Sequence, residues 1–187
     1  QLAIENRRLV EGLTATLGCD VLRADTAAFP RGTVFHAAGG GPVTADGVKL
    51  VDAEPHVLIY DPVRGEVLGR LPLNAESRIG ERFNGLEQPN GCAVDTEGNL
   101  FVTDIPNTNP DPDPAAPPPA LPAVYRIPAD AIAPLIDGVR GSADAVQRVV
   151  MPGYVNRVTV SPIDGCPYAV SCSVIDPANG GLYRLDH

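Results

Sequence analysis

Two pairs of apolar residues, Cys92 with Val94 and Leu100 with Val102, recur at period two within residues 88–104 (Gln-Pro-Asn-Gly-Cys-Ala-Val-Asp-Thr-Glu-Gly-Asn-Leu-Phe-Val-Thr-Asp). Period two is the spacing of a strand that buries one face. Between the pairs, Thr96, Glu97, Gly98 and Asn99 supply the φ > 0 positions that a hairpin needs. The segment therefore predicts two antiparallel strands. The corner Pro89, Asn90, Gly91 leads into the first of them, so that the Asn90 side chain projects from a loop at one end.

A weak repeat extends this pattern. Residues 57–62 (Val-Leu-Ile-Tyr-Asp-Pro), 123–128 (Ala-Val-Tyr-Arg-Ile-Pro) and 181–186 (Gly-Leu-Tyr-Arg-Leu-Asp) share an apolar run with a tyrosine and end in Asp or Pro, about every 60 residues. The hairpin at 88–104 precedes the second copy. Residues 155–170 precede the third and repeat the order strand, Asp164-Gly165 turn, strand. Residues 66–72 and 145–152 follow the first and second copies and read as outer strands. Each unit is then a four-stranded antiparallel meander, the blade of a β-propeller, rather than part of an immunoglobulin sandwich.

The first unit is less regular. An entering strand is expected over residues 9–15 and another over 33–38, and the glycine run at 39–42 reads as a turn because no helix N-terminus follows to cradle phosphate. The chain 1–187 reads as one all-β domain, a partial propeller with blades at about 9–73, 88–152 and 153–187. Residues 106–122, rich in Pro, Asp, Asn and Ala, lack the donors of a central strand and read as a surface insertion stiffened toward polyproline II. Residues 129–136 are the one helix-like stretch, limited by Pro134 to a single turn. Three blades cannot close a ring of about four to eight. Further blades are expected from sequence after His187, from another chain or from the pairing of two half-rings.

Charge narrows the function classes. With 14 Lys and Arg against 23 Asp and Glu the net charge is −9, which excludes a surface that tracks nucleic-acid phosphates. It suits concentrating a cation at a mouth lined with carboxylates. No apolar run approaches the roughly 18 residues of a spanning helix, so no membrane partner is expected. Residues 1–4 lack the basic and apolar regions of a signal peptide. Any export signal is expected to have been removed or never to have existed, and a secreted or periplasmic location is the favoured expectation.

Cys19, Cys92, Cys166 and Cys172 show no metal or redox spacing, which leaves buried thiols and disulfides as the two readings. Cys166 and Cys172 at the ends of one extended strand lie roughly 20 Å apart at about 3.3 Å per residue, too far for a bridge unless the chain turns at Pro167. Cys19 and Cys92 could meet across neighbouring blades.

Three segments carry a resemblance: residues 10–13 (Val-Glu-Gly-Leu), 89–91 (Pro-Asn-Gly) and 155–165 (Val-Asn-Arg-Val-Thr-Val-Ser-Pro-Ile-Asp-Gly). In order and rough spacing they resemble the senescence marker protein and gluconolactonase family of six-bladed propellers. That family has a Glu in an early Glu-Gly-Pro segment, an Asn before the first strand of a middle blade, and an Asn in an Asn-Gly-Leu-Ala-x-Ser-Pro-Asp-Gly segment. A final Asp follows about one blade later. In this chain Leu13 replaces Pro, Arg157 stands where the family has Gly, and Ile163 interrupts the turn. The resemblance implies a divalent metal, usually calcium, at the channel mouth, held by Glu11, Asn90 and Asn156, and hydrolysis of a lactone or similar small ester. The family's final Asp, its proton acceptor, would fall after His187.

The implied chemistry is that of a hard cation taking carboxylate, amide and water oxygens together. Glu11 would bring charge, and Asn90 and Asn156 neutral donors, leaving room for a substrate oxygen to be polarised. Each residue has a plainer role available. Glu11 fits an outer strand, the two asparagines fit turns in which Asn bonds its own backbone, and Asp95, Asp104 and Asp164 fit turn and strand-end caps. His36, His56 and His187 have no metal-binding spacing, and no Gly-x-Ser-x-Gly elbow exists to support a serine triad. The alternative function is a non-catalytic propeller module that binds protein or glycan partners.

Overall fold

The period-two runs become strands in the computed structural model, which describes residues 19–38, 54–83, 85–86, 88–105, 121–172 and 180–185. The expected strand over 9–15, the glycine run at 39–42, Glu11, His187 and residues 106–120 of the Pro-rich stretch lie outside the described residues.

The chain is mostly β and forms three antiparallel sheets in which strands neighbour one another in chain order. Sheet 1 holds β1 (Cys19–Val21), β2 (Val34–Ala38), β3 (His56–Asp61) and β4 (Glu66–Pro72). Sheet 2 holds β5 (Pro89–Val94), β6 (Leu100–Asp104), β7 (Ala123–Ile127) and β8 (Gln147–Val150). Sheet 3 holds β9 (Tyr154–Val160), β10 (Pro167–Cys172) and β11 (Gly181–Arg184). Among the described residues the sheets do not close a ring.

Burial follows from stacking. Sheet 1 buries alternate residues, Phe35 and Ala37 on β2 and Val57 and Ile59 on β3, as a sheet with one covered face must. Sheet 2 is covered on both faces, so β6 is buried at every position. Leu100 and Val102 join the core shared with sheet 1, whereas Phe101 joins Val155, Val158 and Ala169 in the core shared with sheet 3. The outer strands are wet: Val67 of β4 and Val149 and Val150 of β8 are exposed. At the other edge β1 packs beside β5 and β5 beside β9. Asp20 of β1 ties two of these inner strands together, accepting the Val94 N–H at 2.8 Å while Arg23 donates to the Val94 carbonyl at 3.2 Å.

Helices sit near the outer strands of sheets 1 and 2. α1 (Arg78–Phe83) connects β4 to β5, and α2 (Ala129–Ile136) followed by a 3-10 turn (Ser142–Ala145) connects β7 to β8. Ile136 packs against Gly69 of β4 so closely that a Cβ there would lie 2.9 Å from its Cδ1. Two sequence expectations are corrected. Residues 129–136 form an eight-residue helix of about two turns rather than one, because Pro134 removes a single hydrogen bond while Ala131, Ile132 and Leu135 bury a common face. α1 has no signal in the sequence, since six residues are too few to display a period. The disulfide alternative is resolved for three cysteines: Cys19, Cys92 and Cys166 are thiols.

Candidate functional site

Asn90 and Asn156 lie 66 positions apart in the chain and meet in space. On β5, Pro89 faces Asp104 and Gly91 faces Thr103, so Asn90 is an extra residue without a counterpart on β6. On β9, Val155 faces Ser171 and Arg157 faces Val170, so Asn156 is the extra residue there. Each is a β-bulge, which bends its strand and re-aims a side chain. Asn90 is thus part of a strand and not of the corner loop that the Pro-Asn-Gly sequence predicts. Both bulges fall on the inner strands of adjacent sheets, both asparagines are exposed, and Asn90 Nδ2 donates to the Asn156 carbonyl at 3.3 Å.

Two residues build this approach from beneath. Thr103, fully buried, accepts the Gly91 N–H at 2.9 Å and donates its hydroxyl to the Gly91 carbonyl at 3.3 Å, replacing the ladder bonds the bulge displaces. Gly91 lets β9 come close, because a Cβ there would stand 3.3 Å from the Asn156 carbonyl oxygen. Thr103→Val, near in volume but without the hydroxyl, is expected to cost about 2 kcal/mol by orphaning a buried N–H. Urea unfolding monitored by circular dichroism measures this, and a change within 0.5 kcal/mol, the scatter expected of a neutral surface change, would show that the hydroxyl does not pin the bulge.

The electrostatics are mixed. Asn90 spends its N–H on Asn156, which leaves its Oδ1 without a partner among the described residues. Arg157 adds a positive charge beside Asn156 and acts on the Cys19 thiol. Burial raises the pKa of Cys19 more than Arg157 lowers it. Burial also pushes Cys92 far up, and its Sγ donates to the Phe35 carbonyl at 3.2 Å. Neither is a thiolate nucleophile at neutral pH. His36 is lowered by burial and then by the nearby His56, whose Nδ1 lies 2.7 Å from the Glu54 carbonyl.

The aspartates occupy turns and strand ends. Asp95 accepts the N–H groups of Glu97 and Asn99 and the Asn99 amide. Asp104 accepts the Gln88 N–H at 2.9 Å. Asp164 accepts from the Cys166 N–H and the Tyr168 hydroxyl, and bonds from Ser161, Cys166 and Tyr168 hold its pKa down to about 2. Among the described residues no cluster of three or more His, Cys, Asp or Glu is placed to hold a metal ion. Of the residues singled out in the sequence, the structure brings Asn90 and Asn156 together, while Thr103 and Asp20, whose contacts depend on which strands become neighbours, carry no sequence signal. No protein-family model matches the chain, and no curated protein matches it either.

Proposed function

We propose that the three sheets are consecutive blades of a β-propeller similar to the gluconolactonase-like kind, completed to about six blades by further sequence or a second chain. In this reading Asn90 and Asn156 line the axial opening and, with Glu11, hold a divalent cation, calcium, that serves hydrolysis of a lactone or similar small ester. The observation that carries it is the pair of asparagine bulges on adjacent inner strands, joined by the Asn90 to Asn156 hydrogen bond.

The donor chemistry fits a hard cation as far as the amides go. Asn90 Oδ1 is a neutral oxygen, oriented because its Nδ2 is engaged, and Thr103 fixes the strand behind it. Bound calcium would supply Lewis-acid polarisation of a carbonyl oxygen. The chain's own contribution is placement: Thr103 and Gly91 hold the strands at the separation that lets both asparagines address one small molecule.

A second reading, a non-catalytic module for protein or glycan partners, is favoured by Arg157 beside Asn156 and by the lack of a carboxylate cluster among the described residues. Calorimetric titration with calcium of the propeller carrying its remaining blades separates the two. The hydrolase reading expects saturable binding that Asn90→Ala and Asn156→Ala each weaken by roughly tenfold, since each removes one of a few oxygen ligands, with lactone consumption that follows the bound fraction. A flat titration overturns the metal site. Binding without lactone turnover makes the metal structural and overturns the enzyme.

A further inference from the structure

Three guanidinium groups cluster in a chain of net charge −9. Between α1 and the turn that follows α2, a cleft of about 430 Å³ is lined by Arg78, Arg82 and Arg140 together with Glu81 and Asp144. Neither Asn90 nor Asn156 lines it. Its volume falls in the range of small-ligand sites, about 300–1,000 Å³.

Two of the guanidiniums are held in place. Arg82 stacks 4.9 Å above the Phe83 ring and donates through Nη1 to the Ala143 carbonyl. Phe83 stands edge-on to buried Tyr125 at 5.2 Å, and Tyr125 carries the Arg148 guanidinium at 5.9 Å, so the core anchors the stack. Arg78 gives Nη1 to both oxygens of Glu81 at 2.7 Å and Nε to the Gly138 carbonyl at 3.1 Å. Glu81 is thereby neutralised. Arg140, between left-handed Gly138 and Gly141, has no side-chain partner among the described residues, and Asp144 makes no ion pair among them.

The arrangement offers unspent donors from Arg82, which is held in place, and from Arg140, unpaired among the described residues, plus one carboxylate that only accepts. A carboxylate in an anion site is repulsive unless the anion brings a proton to share. Hydrogen phosphate does so: its three unprotonated oxygens accept from guanidinium forks, and its P–OH donates to a carboxylate. Sulfate has no such proton.

We propose that this cleft binds inorganic hydrogen phosphate, with Arg82 and Arg140 as donors to its oxygens and Asp144 accepting its P–OH. The test is calorimetric titration of the full chain with sodium phosphate and, separately, sodium sulfate at pH 7 and low ionic strength, where screening is weak. Phosphate is expected to bind at least about tenfold more tightly than sulfate. Arg140→Gln should weaken phosphate by about tenfold, the loss of one charge-assisted contact, and Asp144→Asn should bring the two anions to within about twofold of each other. Arg140 and Asp144 are exposed, so both variants are expected to keep the wild-type urea midpoint, which is measured alongside. No phosphate binding, equal binding of the two anions by the unaltered chain, or unchanged binding in Arg140→Gln overturns the proposal. Calcium binding at the asparagines is a separate reading that none of these outcomes alters.

Discussion

Tyr125→Ala is expected to destabilise the protein by about 3–5 kcal/mol, the range for deleting a buried aromatic ring. Tyr125 is 2% exposed, lies on β7 and belongs to the core between sheets 1 and 2. Its ring meets Phe83 of α1 edge-on at an interplanar angle of 72°. It also carries Arg148, so truncation removes the contact that joins helix, sheet 2 and outer strand at one point. Sheet 2 cannot collapse into the space without pulling β6 from its register, since Val102 opposite Tyr125 is itself buried. Urea unfolding should show a lower midpoint with an unchanged slope. Tyr125→Phe keeps the ring and should lose only about 1 kcal/mol. A loss below about 1 kcal/mol for Tyr125→Ala would mean that α1 and sheet 2 are not packed through this ring.

The same packing explains what could be read in advance. Strands at 57–62, 66–72, 88–104, 123–128 and 155–170 are legible because local spacing and turn residues such as Gly98, at φ 89°, act within a few positions. The alternation breaks down on β6, where Phe101 interrupts the polar positions and Thr103 and Asp104 are buried as well. That run is the mark of a sheet covered on both faces, a property of neighbours and not of the strand. β1 is three residues long and buried only in part, so it carries too little pattern to be found. Pro134 overrules α2 in sequence, whereas in the structure burial of Ile132 and Leu135 outweighs one missing hydrogen bond.

The site divides the same way. Asn90 is marked by Pro89 and Gly91, which announce irregular backbone. The bulge at Asn156 has no such signal, because it arises from how β9 pairs with β10. Thr103 reads as an ordinary strand residue until the bulge at Asn90 exposes the Gly91 N–H that it must satisfy.

Gly80→Ala is expected to cost about 3 kcal/mol, the upper part of the range for overpacking. Intrinsic helix propensity points the other way, since alanine favours a helix over glycine by about 1 kcal/mol. Space decides the sign. A Cβ at Gly80 would lie 1.9 Å from the Asn74 carbonyl oxygen and 2.6 Å from the Ala75 carbonyl carbon, both backbone atoms. They cannot swing aside, because Ser77 donates through Oγ to that carbonyl at 2.7 Å and accepts the Gly80 N–H at 3.0 Å. The loop is closed further out by the Leu86 N–H donating to the Leu73 carbonyl at 2.8 Å. Relief must come from α1 moving as a unit, and Arg78 and Arg82 move with it. The variant should therefore lose stability in urea and also bind phosphate more weakly. Gly138→Ala is the matched control: at φ 68° with nothing within 4 Å of the added Cβ, it should cost only the backbone penalty of about 1–2 kcal/mol. If Gly80→Ala proves neutral or stabilising, α1 does not pack against residues 74–75 as described, and the fixed placement of Arg82 on which the phosphate cleft depends is lost with it.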